Sequence, residues 1–168
     1  MPLFVKAIKP KRLQLSKMRQ ELLRGAEEFA PGVLVDFEAT VDTFKDKPTF
    51  TSKTELLSDG IVTYVGLDDS ESKANENYRR LDAGAVRHMI YARKKRTLRF
   101  RTGYVPKTVP RVLASHAGGR TGPWRAPKAV NHPGFEARDF EGTIALKHNA
   151  RYYRLMEKAM KRAAKVAY

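Results

Sequence analysis

Fifty-three consecutive residues, 83–135, contain twelve lysines and arginines and no aspartate or glutamate. A stretch of that length has no local means of neutralising its own charge. It lies against an acidic part of the same chain, against another copy, against an outside polyanion, or as a solvated basic face. The acid needed is concentrated elsewhere. Residues 26–82 carry thirteen acidic and six basic side chains, whereas 1–25 and 143–168 each carry seven basic and one acidic. Such a split suits self-assembly, with the acidic face of one copy meeting the basic face of the next. Complementarity of this kind sets register and speeds encounter more than it adds affinity.

The 168 residues suit one domain, 1–168, with 1–10 as an N-terminal arm. A hydrophobic share of 42% is enough to build a core. The chain has no cysteine, which excludes disulfides, thiol nucleophiles and thiolate metal sites. Its apolar runs are only a few residues long, too short to span a bilayer, and its first residues lack the apolar region of a signal peptide.

Leu15, Met18, Leu22, Ala26 and Phe29 recur every three or four residues and predict an amphipathic helix over 11–30. Pro31-Gly32 predicts a break or kink. Leu34, Phe37, Val41 and Phe44 favour a second helix over 33–44, against a strand reading of Val33, Val35 and Phe37. Phe50–Leu57 and Ile61–Leu67 flank Ser58-Asp59-Gly60 and predict a β-hairpin. Residues 68–77 read as a polar loop with a short helical turn. Short strands are expected at 86–91 and 97–101, and a closing helix from about 140. Tyr64, Leu98, Phe100 and Phe140 are the expected core residues.

Residues 102–128 hold eight prolines and glycines and read as a long extended loop or arm. With so few large apolar side chains it is expected to leave its own subunit and be ordered by neighbours, Gly118, Gly119 and Gly122 forming its tip.

No reaction, cofactor or metal is proposed by the motifs. His88, His116, His132 and His148 show no ligand spacing. Ser115-His116 lacks a triad context, and the glycines at 118–122 lack the Gly-Lys-Ser/Thr ending of a phosphate loop. The candidate contact residues are basic: Arg93, Lys94, Lys95, Arg96, Arg99, Arg101, Lys107, Arg111, Arg120 and Arg125. Tyr91, Phe100, Tyr104 and Trp124 interleave with them. Cations supply phosphate contacts and aromatics stack on bases, so nucleic acid is one partner class; an acidic protein surface is the other.

A longer order of residues is informative. It runs Tyr78, Asp82-Ala83-Gly84, Arg87-His88-Met89-Ile90, Leu98-Arg99-Phe100, Tyr104-Val105-Pro106-Lys107 and Gly118-Gly119-Arg120. It ends in Val130-Asn131-His132-Pro133-Gly134-Phe135-Glu136-Ala137-Arg138-Asp139-Phe140. This resembles a family of virion proteins of long-tailed bacteriophages, variously described as tail-completion, neck, head–tail joining or minor tail proteins. The resemblance covers most of the chain, and the His-Pro-Gly segment before the last helix is its most specific part. Asp139 departs from it, because many relatives have proline there.

The resemblance implies an α+β subunit, with an antiparallel β-sheet packed against N-terminal and C-terminal helices. It implies a non-enzymatic structural protein that forms a ring with itself, expected as a hexamer, at the top of the tail. The implied partners are neighbouring head-connector and tail-tube or tail-terminator proteins, with DNA in the channel as a further contact. The implied place is the virion, assembled in the host bacterial cytoplasm. A tail-terminator or head-closure role in the same connector, and a basic nucleic-acid-binding protein, are the alternatives.

Overall fold

The computed structural model describes residues 14–58 and 60–166. The arm expected at 1–10, and Asp59 of the hairpin turn, lie outside the described residues. The architecture is α+β: a bent N-terminal helix pair and a long C-terminal helix pack together with small antiparallel strand pairs.

Helix α1 spans Leu15–Glu27 and α2 spans Ala30–Thr40, so the chain bends just before Pro31. Pro31 sits in the first turn of α2, where a missing amide costs no helical hydrogen bond. Helix α4 runs for 27 residues, Phe140–Val166. It meets α1 through small side chains, Gly25 and Ala26 against Ala159 and Ala163. A Cβ on Gly25 would lie 2.4 Å from that of Ala159, so this crossing accepts nothing larger than glycine. Arg162 of α4 ties the two helices together, at 3.0 Å from Glu21 and 3.5 Å from Glu28.

Strands β1, Phe50–Leu56, and β2, Ile61–Leu67, form the predicted hairpin, paired from Phe50 opposite Leu67 to Leu56 opposite Ile61. Phe50, Val65 and Leu67 face inward and join Val33, Phe37, Val41, Tyr78, Phe140 and Ile144 in the core. Tyr64, expected there, is 55% exposed. The register sets it opposite Lys53 on the outer face, next to the Glu55 and Val62 pair. Phe140 is fully buried as expected, while Leu98 and Phe100 are half-buried.

The expected polar loop at 68–77 is instead the approach to helix α3, Lys73–Ala83. Ser72 caps it, its Oγ accepting from the Asn75 amide at 3.1 Å. Asn75 is buried because its side chain organises the preceding loop. It accepts from the Thr49 amide and donates to the carbonyls of Asp68 and Ser70. No helix among the described residues is long and apolar enough to cross a membrane.

Between α3 and α4 the chain makes one long excursion. Six short strands, β3 His88–Tyr91, β4 Phe100–Arg101, β5 Tyr104–Val105, β6 Gly119–Arg120, β7 Trp124–Arg125 and β8 Ala129–His132, pair as β3 with β8, β4 with β7 and β5 with β6. All three pairs are antiparallel and nested, so together they make a single two-stranded ribbon. The strands therefore do not merge into one sheet with β1 and β2. Its base is closed by two hydrogen bonds between Ala85 and Phe135, 2.8 and 3.0 Å long. Gly84 (φ 78°) and Gly134 (φ 83°) make that approach possible; a Cβ on Gly134 would stand 2.2 Å from the Ala85 carbonyl oxygen.

The same junction starts α4. The Asp82 carboxylate accepts from the Phe140 amide at 2.6 Å, capping the helix from another element. Asp139 has φ 52° and donates its amide to the Asp82 carbonyl. Proline, which many proteins of the resembled family have at this position, fits neither feature: its φ is locked near −65° and it has no N–H.

A candidate assembly surface on the basic ribbon

The register explains where each candidate cation sits. Ala92 donates to the carbonyl of Lys128, and Leu98 to that of the very next residue back, Pro127. Residues 93–97 therefore have no opposite number and loop out of the first strand. Arg93, Lys94, Lys95 and Arg96 are this insert, all exposed. Polar and charged residues without a ladder to join have no reason to turn inward.

Beyond the insert, Arg101 pairs with Trp124 and Phe100 with Arg125. Side chains two apart share a face, so Arg99 and Arg101 both reach Trp124, with guanidinium carbons 5.0 and 5.6 Å from its ring centre. Trp124 is nevertheless 56% exposed. Further along, Arg120 lies opposite Tyr104 and 5.9 Å over its ring. The structure thus gathers Arg99, Arg101, Arg120 and Arg125 on the ribbon and sets Arg93–Arg96 beside it.

Lys107 and Arg111 do not join them. They belong to the tip, residues 106–118, which folds back onto the subunit. Lys107 donates to the carbonyl of Thr43. Thr43 in turn donates its amide to Ser115 Oγ at 3.1 Å and its hydroxyl to the His116 carbonyl at 3.0 Å. Arg111 donates its amide to the Arg138 carbonyl at 2.8 Å, and Leu113 packs on the core. The expected arm leaving its own subunit is corrected accordingly. The segment 102–128 contains strands, and its docked end is 106–118. Gly119 and Gly122 lie in the ribbon rather than at a free tip. Local sequence understates this because the anchoring bonds join residues more than sixty positions apart.

The ribbon is therefore an arch, held at its base and at its end. A groove of about 760 Å³ lies against its middle. Leu98, Phe100, Tyr104, Ile90, Val130 and Phe135 supply its apolar wall. Arg99, Arg101, Arg120 and Arg138 also line it. Arg138, not among the expected site residues, is only 8% exposed. It donates to Thr108 Oγ1 at 3.2 Å and to the Glu136 carbonyl at 3.4 Å, and stacks over Phe135 at 5.8 Å. Among the described residues, neither Arg138 nor any of the ten candidate cations makes an ion pair. Its adjacency to Glu136 and Asp139 in sequence hid that lack.

The histidines read as scattered are partly brought together. His88 and His132 face each other across β3 and β8, with ring centres 5.0 Å apart. His132 Nδ1 accepts from the Gly134 amide at 3.0 Å, and His88 Nδ1 lies 2.8 Å from the Val86 carbonyl. Among the described residues there is no grouping of three or more metal-ligating side chains.

Compared with protein-family models, with curated proteins and with solved structures, the chain matches none.

Proposed function

We propose that this chain is a structural, non-enzymatic subunit that assembles with copies of itself through the basic ribbon. Following the resemblance, we place it at the joint between head and tail of a long-tailed phage, as a tail-completion or neck protein in a ring. One observation carries the reading. A two-stranded ribbon is marginal alone in water, yet this one keeps Met89, Tyr91, Tyr104, Val105 and Trp124 exposed beside cations without carboxylate partners. Exposed apolar side chains of that kind, grouped along one ribbon, mark surface that assembly covers. Head-to-tail contacts between unlike faces close into a ring when the rotation permits.

A second reading has its own observation, the exposed Trp124 flanked by Arg99 and Arg101. A stacking ring between two guanidinium groups is what a single-stranded nucleic acid engages. Mass measurement and electron microscopy of the purified chain decide between them. Discrete rings of uniform mass support the structural subunit. A monomer whose oligonucleotide affinity falls steeply with salt supports the nucleic-acid binder and overturns the ring.

A further inference from the structure

We infer that the groove under the arch receives the free end of the β1–β2 hairpin from a second copy of the chain. The inference rests on the assembly reading above and names its contact.

The groove requires an occupant that is apolar in the middle and acidic at its edge. Its wall is Leu98, Phe100, Tyr104 and Val130, and its cations are Arg99, Arg101, Arg120 and Arg138. Arg138 is the most demanding of these. It is the least exposed of them, and its described partners are two neutral acceptors, Thr108 Oγ1 and the Glu136 carbonyl, with no carboxylate among them. None of the residues lining the groove is acidic.

The chain carries an apolar end with acidic neighbours on its β1–β2 hairpin. Leu56, Leu57 and Val62 at the end of the β1–β2 hairpin are each about half exposed. Glu55 stands opposite Val62 on the outer face, and Asp69 lies beside them. Among the described residues Glu55 pairs only with Lys53, at 2.5 Å and in the open, an interaction worth little and readily exchanged. No residue of β1 or β2 lines the groove of its own subunit. Donor and acceptor surfaces are therefore different parts of one molecule, which makes the contact heterologous and able to propagate from copy to copy.

The absence of cysteine makes the test direct. Leu57→Cys and Tyr104→Cys replace exposed side chains, one at the hairpin end and one at the groove. In the full chain carrying both, mild oxidation should produce a ladder of disulfide-linked oligomers. Either variant alone should not. Arg120→Glu should weaken assembly about tenfold, and Glu55→Arg in the same chain should restore it. If the unmodified chain assembles but the double-cysteine variant yields no ladder, the hairpin end does not occupy the groove, and the assembly reading stands without it. If the unmodified chain stays monomeric at every concentration, both fall. If a DNA oligonucleotide shields Tyr104→Cys from alkylation and no ladder forms, the groove belongs to nucleic acid and the inference is overturned.

Discussion

Among the described residues no group meets hydrogen-bond geometry with the buried Tyr78 hydroxyl, although Thr40 stands near it, and burial, with Asp82 nearby, pushes its ionisation far up. A buried hydroxyl without a well-formed hydrogen bond costs desolvation that a phenyl ring in the same place does not. Tyr78→Phe should therefore stabilise the fold by about 1 kcal/mol, seen as a higher urea midpoint. Asp36 behaves oppositely. Burial pushes its carboxyl up, but Lys147, 2.8 Å away, and His148, 2.7 Å away, outweigh that and hold it below the usual range. A depressed carboxylate stabilises the fold above its unfolded pKa, about 3.9. The contribution disappears as pH falls through the lower folded value. Asp36→Asn should lower stability near neutrality and flatten the loss measured below about pH 4.

At the scale of elements, the insert 93–97 is the clearest separable part. Its removal does not break the ladder, because Ala92 and Leu98 already bond to adjacent partners, Lys128 and Pro127. Deleting 93–96 leaves Thr97 as an ordinary one-residue bulge. The deleted chain should fold with a thermal midpoint close to that of the full chain, while any polyanion affinity that the insert supplies is lost. Circular dichroism melts and a salt-dependent binding isotherm read the two effects separately. The helices and the β1–β2 hairpin were legible in sequence because periodicity and turn chemistry are local. Helix α3 was not, since its key residue, Asn75, is polar and buried for bonds to a loop. Tyr64 was misplaced by parity: one step along a strand exchanges inside for outside. The ribbon stayed hidden because its pairs join residues up to 50 apart, as Ala85 with Phe135. Of the candidate site, sequence revealed the cations but neither the arch that brings Arg99, Arg101 and Arg120 to one groove nor buried Arg138.

The molecule as a whole has two unlike parts, a helix-and-hairpin body of nearly balanced charge and a basic arch anchored on it. The arch also separates parts that belong together. Leu81 and Asp82 at the end of α3 hydrogen-bond to Arg138 and Asp139, and the Asp82 carboxylate caps α4. Phe140, buried at the centre, packs on Tyr78 of α3 from the far side of that excursion. Looping out that much chain costs roughly 3–4 kcal/mol of entropy before the closing contacts repay it. Distant pairings of this sort form late and slowly. Closing the core across so long a loop makes it a late contact: the interior is complete only when the two ends of the excursion meet.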